Sequence, residues 1–319
     1  ATLEMVDRRA WTLLISLAAI WGTSYMFIKI GVRDLSPAMI AWARVALAAL
    51  ALVPIAAYRR QLRLPGASWI ALTGLAAVQA AGPFLLIAEG EQEISSALAG
   101  ILVASTPIFT ALLAVRFDQS ERSEGLRLVG VLLGLAGVVV LLGLDLGDSS
   151  DQLLGGAMIL LASLGYAIGA IIAKRHLADL PPTGIAAWVM VASTVLLAPA
   201  AIATAPESAP GLGPVAAVAA LGVIGTGVAF VIFYDLIASV GAARTFIVTN
   251  LAPAFAVVYG AVLLGEALTA ATIAGLVLIV GGSYLAAEGR MPWRPRISGV
   301  EPQPPAEACA ASTNAGAAR

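Results

Sequence analysis

Two cations stand inside otherwise apolar sequence. Arg44 is the one charge in the stretch 37–58, about two turns from its start, and Lys29 closes the preceding apolar stretch. A guanidinium stays charged and presents a planar fork of donors, so an arginine among apolar residues must face protein or water. Together the two can flank the mouth of a cavity and attract a carboxylate. The structural alternatives remain open: Arg44 caps carbonyls or pairs with an acid such as Glu89 or Asp34, as a lock or gate, and Lys29 snorkels to an interface. Among uncharged groups, Gln79 precedes Gly82-Pro83 within 64–88, where its amide needs partners that lipid lacks and the Gly-Pro pair bends the helix. Gln79 is therefore read as cavity lining and Gly82, Pro83 as a hinge. Pro107 follows Ser105-Thr106, and Pro253 follows Thr249-Asn250. These hydroxyls, amides and freed carbonyls either receive a substrate amino group or re-satisfy kinked backbone.

Six aromatic residues lie within apolar stretches: Trp21, Tyr25, Tyr166, Trp188, Tyr234 and Tyr259. Such rings suit an aromatic or aliphatic ligand, with packing as the alternative for each. Trp21 and Tyr166 are preferred as ligand contacts because they adjoin Gly22 and Gly165, and Thr23 and Ser24 share the WGTSY stretch. No chemistry beyond binding is expected. His176 is the lone histidine, Cys309 the lone cysteine, and there is no phosphate-binding loop of the ATPase type, so no catalytic residue, metal or cofactor is assigned. The Gly130, Gly134, Gly137 series reads as close helix packing rather than a dinucleotide site. Every Asp and Glu falls at or beyond the ends of the apolar stretches. Lacking a titratable group at mid-membrane, the chain is expected to work without proton coupling.

The elements that hold these groups follow from composition. Of 319 residues, 60% are hydrophobic and 12% charged, about half the charge of a soluble domain. Nine uncharged stretches run 10–28, 64–88, 94–115, 128–144, 152–173, 180–206, 208–234, 245–265 and 267–287. With 37–58 they make ten, each long enough as a helix to cross roughly 30 Å of hydrocarbon. The first has no small-residue cleavage site and is read as a span rather than a signal peptide. Ala1 is read as following a missing start or tag and is left out of the fold argument. Basic residues collect on alternate connections: Arg8 and Arg9, then Arg59, Arg60 and Arg63, then Arg116, Arg122 and Arg127, then Lys174 and Arg175, Arg244, and Arg290, Arg294 and Arg296. The intervening connections hold Arg33 after span 1 and otherwise acids: Glu89, Glu91, Glu93, Asp145, Asp148, Asp151, Glu207 and Glu266. Retention of basic loops then puts both termini in the cytoplasm. Trp11, Tyr58, Trp69 and Trp293 read as interfacial anchors. A net charge of −1 offers no basic face for nucleic acid.

The halves repeat. An offset of 146 places Phe84 on Phe230, Glu89 on Asp235, Ala97 on Ala243 and Pro107 on Pro253, and an offset of 145 places Glu121 on Glu266, Gly130 on Gly275 and Gly137 on Gly282. Because each copy has five spans, the second enters the membrane from the opposite side, an arrangement that supports alternating access around one site.

With WGTSYMFIKIG in span 1, the span 2 arginine, and the paired STPIFTALLAV and LAPAFAVVYGAVLLGE segments, residues 10–288 resemble the drug/metabolite transporter superfamily in its EamA-type branch. Within it the chain is similar to the YddG-type aromatic amino-acid exporters. The second copy departs from the pattern: LGYAIGAIIAKR replaces the span 1 motif, and Ala187 stands near where a second arginine would fall. The resemblance implies an all-α membrane protein of two inverted five-helix repeats, exporting neutral or aromatic amino acids from the bacterial cytoplasm across the inner membrane. The expected division is a cytoplasmic segment 1–9, repeats 10–147 and 148–288, and a disordered Pro/Ala-rich tail 289–319. Expected partners are a small-molecule substrate and the lipid bilayer, with no obligate protein partner. Exchange of nucleotide sugars or sugar phosphates, and lipid-modifying catalysis, are the competing readings. The first would need more cations than Lys29 and Arg44, and the second a catalytic set that is missing.

Overall fold

The computed structural model describes residues 2–63, 68–117, 125–145, 149–241, 245 and 247–288. Among them are ten helices long and apolar enough to cross a membrane. In chain order these are α1 (Thr2–Gly31), α2 (Pro37–Tyr58), α3 (Trp69–Glu93), α4 (Ser96–Val103 and Thr106–Phe117), α5 (Leu126–Val140, continued by Leu141–Asp145), α6 (Ser150–His176), α7 (Pro182–Ala203), α8 (Leu212–Val240), α9 (Ile247–Leu264) and α10 (Ala270–Glu288). The tail from 289, with Trp293 and Cys309, lies outside the described residues, as do Glu121, Arg122, Asp148, Arg244, Arg290, Arg294 and Arg296.

Local chemistry sets the helix ends. Ser36 caps α2, its hydroxyl accepting from the Met39 amide at 3.2 Å, with Pro37 following in the first turn. Ser95 caps α4 by accepting from Leu98 N at 3.2 Å. α8 and α9 stop at Gly241 and Gly265, whose φ values of 86° and 70° suit only glycine well. The outer surface is apolar: Ile70, Val139, Val262 and Val277 are all strongly exposed. Tyr58 and Trp69 are exposed at helix ends, and Trp11 is exposed near the start of the apolar part of α1 that begins at Arg8, as anchors should be.

The duplication is visible in the packing. α2 lies along α7, and α5 along α10, each helix beside its own copy. α1 packs on α8 and α9, while α6 packs on α3 and α4, which are the same neighbours one repeat away. Both α3 and α8 contain a wide π turn, at Ala77–Ala81 and Val223–Val228, starting 146 positions apart. In α3 the Gly82 amide reaches back five residues to the Ala77 carbonyl, and Pro83 has no amide to restore the ordinary register. In α8 glycines at 225 and 227 take the place of proline. Glycines also set the α5–α10 contact. A Cβ on Gly130 would stand 2.4 Å from Ala286 N, and one on Gly282 would stand 2.5 Å from Gly134 N. Two backbones thus touch, as the glycine series leads one to expect.

Two sequence readings need correction. α3 runs on to Glu93, so Glu91 is not a loop residue; it is fully buried. Pro107 sits where α4 breaks at Ala104–Ser105, whereas Pro253 lies within an uninterrupted α9, so the matched prolines do not interrupt their helices alike.

Candidate functional site

Arg44 enters the bundle from the eighth position of α2, and α8 supplies its partner. The wide turn of α8 lets the Thr226 hydroxyl donate to the Leu221 carbonyl at 3.0 Å and still accept from Arg44 Nε at 2.9 Å. The guanidinium carbon lies 3.7 Å above the centre of the Phe84 ring of α3, a cation–π contact. No described residue accepts a hydrogen bond from the two terminal nitrogens. The acids considered as partners are occupied elsewhere: Asp34 accepts from the Gly211 amide at 2.8 Å and Glu89 from Gln92 Nε2 at 2.8 Å. Glu89 is thus not a gate partner for Arg44.

Tyr25 of α1 and Tyr166 of α6 pack against an apolar core that includes Ile87 and Ala88 of α3, and Glu91 of α3 is wholly buried. Lys29 completes the group. Its ammonium donates to the backbone carbonyls of Glu91 at 2.6 Å and Ile94 at 2.9 Å, capping the end of α3. Snorkelling is therefore incorrect for Lys29, which turns inward to a helix end. Beside this end, Glu266 receives the Ser96 and Ala97 amides at 2.8 and 3.0 Å and caps the start of α4. The two Glu91 carboxylate oxygens are enclosed with no hydrogen-bond partner.

The other sequence candidates divide into those packed between helices and those that serve the backbone. Gln79 lies in the wide turn of α3 against Gly169 of α6, and a Cβ on that glycine would stand 3.0 Å from its Oε1. Ser24, buried and without a hydrogen-bond partner, faces Gly225 in the wide turn of α8. Trp21 packs on Phe233 with centroids 5.3 Å apart, in the apolar cluster shared by α1, α8 and α9. Thr249 and Asn250 are half-buried near the start of α9. By contrast, Thr23, Ser105 and Thr106 each donate to a carbonyl three residues back, at 2.7, 2.7 and 2.8 Å, the backbone repair that a bent helix needs. Ser283 donates to the Ala104 carbonyl freed at the break before Pro107. Gly22 and Gly165 do not play matched parts: Gly22 admits Phe255 and Ala252 of α9, and Gly165 admits Val78 and Pro83 of α3.

Sequence reading missed Thr226, Phe84, Glu91 and Glu266 as members of the site. It also missed two closures at opposite ends of the bundle. At one end, the residue after α2, Arg59, donates to Thr183 of α7 at 3.4 Å and pairs with Asp235 of α8 at 3.1 Å. At the other, the residue after α7, Thr204, meets Ser36 before α2 at 2.8 Å. Arg59 and Thr204 are 145 positions apart, so each is the other's copy in the repeat.

Known proteins match this architecture. The EamA-like transporter family model matches twice, over residues 9–143 and 153–287, one five-helix copy each. A protein of Archaeoglobus fulgidus named an uncharacterized transporter is 27% identical, covering 88% of this chain and all of its own. The inner membrane transporter YedA of Escherichia coli K12, also of unassigned substrate, is 29% identical over 85% of this chain and 90% of its own. A Salmonella typhimurium protein named a probable amino-acid metabolite efflux pump is 25% identical over 92% of this chain and its full length. A solved crystal structure at 22% identity covers 88% of this chain and 97% of its own with a TM-score of 0.63, which supports the fold. With two copies of the family pattern spanning nearly all the described helices, the chain belongs to the EamA-like transporter family and is a multi-pass membrane transporter.

Proposed function

We propose that the chain exports small zwitterionic metabolites, neutral or aromatic amino acids, by alternating access around the Arg44 site. The observation that carries this reading is a buried arginine held by one hydroxyl and one ring, with its two terminal nitrogens unbonded among the described residues. That leaves a two-pronged donor for a carboxylate in a place where little else can enter. In this reading Tyr25 and Tyr166 offer flat surfaces carrying a polar edge, suited to a side chain of moderate size. In this reading Gln79, Ser24, Trp21, Thr249 and Asn250 contribute the rest of the lining. Contacts at the two ends, each including one of the repeat-equivalent residues Arg59 and Thr204, supply alternate doors in this reading. Relatives named for amino-acid export, from Salmonella typhimurium and from Streptantibioticus cattleyicolor, support the substrate class.

A nucleotide-sugar or sugar-phosphate exchanger fits less well. Its ligands carry two or more negative charges, and Lys29 is committed to helix carbonyls, leaving Arg44 alone. The family and its named relatives point away from a lipid-modifying enzyme. The membrane is the bacterial inner membrane, with both termini cytoplasmic and the repeats divided at about residue 147, as the distribution of Lys and Arg supports. The test is efflux of labelled L-phenylalanine, L-leucine and L-threonine from proteoliposomes. Arg44→Ala is expected to reduce efflux at least tenfold and Gln79→Ala to change the order of preference. Normal flux in Arg44→Ala, with normal insertion, would refute the assignment.

A further inference from the structure

Three arginines follow α2, and they are not used alike. Arg59 serves a closure, donating to Thr183 and pairing with Asp235. Arg60 and Arg63 are exposed, and no described residue pairs with either. Arg60 also holds a backbone shape that arginine seldom adopts: its φ is 57°, the one positive value at a residue other than glycine among the described residues. Its amide donates to the Ala57 carbonyl at 3.0 Å and the Gln61 amide to that of Ala56 at 2.8 Å, the paired bonds of a helix end that glycine usually closes. A left-handed arginine costs free energy that glycine would not, and such strain persists only where the surroundings fix it. The repeat does not demand it. α7, the copy of α2, ends with Thr204 bonded to Ala200 and Ala205 to Ile202, and Ala205, which stands 145 positions after Arg60, has no positive φ.

Beyond this turn the chain lies on α7. The Gln61 carbonyl rests against Gly184, where a Cβ would overlap it, and the Leu62 carbonyl accepts from Trp188 Nε1 at 2.9 Å. Trp188 in turn meets Trp69, at the start of α3, edge to face with ring centroids 4.9 Å apart. Arg60 and Arg63 are thus carried on backbone pinned between α2, α3 and α7. Two rings mark the depth of this corner: Tyr58 is 90% exposed and Trp69 43%, each at the end of a span. Aromatic side chains so placed belong at the headgroup level of a bilayer. Phosphate is the complementary group at that level, and a guanidinium binds it through paired donors while being only weakly hydrated itself. In the copy of this corner after α7, Ala205 and Ser208 stand where Arg60 and Arg63 stand here, so the repeat does not call for cations at these positions.

We propose that Arg60 and Arg63 form a binding site for the headgroup of an anionic phospholipid, held ready by the strained turn after α2. The headgroup phosphate accepts from the two guanidiniums, and the acyl chains run over the apolar outer surface beside Trp69, where Ile70 is 88% exposed. A zwitterionic lipid brings an ammonium of its own, which the two arginines repel, so the site selects a headgroup of net negative charge. Arg59 precedes both residues on the same turn. A lipid seated there steadies the end of the bundle at which Arg59 meets Asp235. The site is separate from Arg44 and holds whatever substrate the chain carries.

The test uses the full chain, purified in lipid-free detergent, and follows its thermal midpoint by tryptophan fluorescence as dioleoyl phosphatidylglycerol is added. Wild-type protein is expected to show a saturable rise that dioleoyl phosphatidylcholine does not give at the same amounts. An arginine beside anionic lipid is worth about a fivefold change in affinity, so Arg63→Gln should raise the half-saturating amount about fivefold. Arg9→Gln, which removes an exposed charge elsewhere, should leave it unchanged. Arg60→Gly separates the two properties of its residue. Without lipid its midpoint should rise by about 2–4 °C, since glycine takes a φ of 57° freely, yet its half-saturating amount should also rise about fivefold. If Arg60→Gly fails to fold, Arg63→Gln and the comparison of the two lipids decide the matter. Half-saturation that is the same in wild type, Arg60→Gly and Arg63→Gln, or phosphatidylcholine as effective as phosphatidylglycerol, would overturn the site. A rise of equal size with glycerol 1-phosphate or inorganic phosphate would also overturn it, assigning the two arginines to a free anion instead of a lipid.

Discussion

Gly281 and Gly282 are neighbours on α10, and the structure assigns them opposite consequences. A Cβ on Gly282 would lie 2.5 Å from Gly134 N and 2.7 Å from Gly130 O, all of it backbone that no side-chain rotation can move aside. Ordinary contact between heavy atoms needs about 3.5 Å, so α10 must shift away from α5 by about 1 Å, loosening a contact that runs the length of both helices. Overpacking of this kind costs about 1–3 kcal/mol. A Cβ on Gly281 meets nothing within 4 Å. Alanine there also gains helix propensity, up to about 1 kcal/mol. At about 2–4 °C per kcal/mol, Gly282→Ala should lower the melting midpoint of the detergent-purified protein by about 2–12 °C, while Gly281→Ala leaves it unchanged or slightly raised. Thermal unfolding followed by tryptophan fluorescence reads the difference. Equal midpoints for the two variants would refute the claim that backbone contact of Gly282 with Gly130 and Gly134 holds α5 to α10.

The site makes further demands. Thr226→Val keeps the shape but leaves Arg44 Nε without its acceptor; a hydrogen bond to a charged group contributes about 1.5–3 kcal/mol, so L-phenylalanine binding should weaken about tenfold or more by equilibrium titration, and Thr226→Ser should restore it. Arg44→Lys is expected to behave like Arg44→Ala in efflux, because an ammonium cannot bond Thr226, lie on Phe84 and hold a carboxylate together. The Arg59–Asp235 pair is only partly shielded, with side chains 33% and 53% exposed, so Asp235→Ala should cost less than about 1 kcal/mol of stability, yet it should alter the turnover rate by removing half of one closure.

How far the sequence could be read depended on whether a feature is local. Spans were legible because charges avoid hydrocarbon, and the repeat because its offset hardly varies between Phe84–Phe230 and Gly137–Gly282. Arg44 was legible as a buried charge since nothing near it on α2 is charged. Its partner was not: Thr226 is 182 residues away, in the other repeat, and is turned toward Arg44 by a wide turn that leaves no trace in the hydrophobic pattern. Glu91 was misplaced by the rule that a charge ends a span. That rule fails where other charges compensate, and here Lys29 and Arg44 lie close by. Two residues apart on a helix, Glu89 and Glu91 point to nearly opposite sides, so one reaches Gln92 near the surface and the other the interior.

Alternating access by two inverted copies is the claim on which the rest stands, and the paired closures allow it to be tested directly. In a Cys309→Ser background, cysteines at positions 36 and 204 can be joined as a disulfide, and cysteines at 59 and 183 by a short bis-methanethiosulfonate reagent, because their native side chains touch. The measurement is efflux of labelled amino acid from proteoliposomes before cross-linking, after it, and after reduction. Each cross-link alone should stop efflux and reduction should restore it, since both ends must open in every cycle; efflux that continues with either end covalently shut would contradict the mechanism.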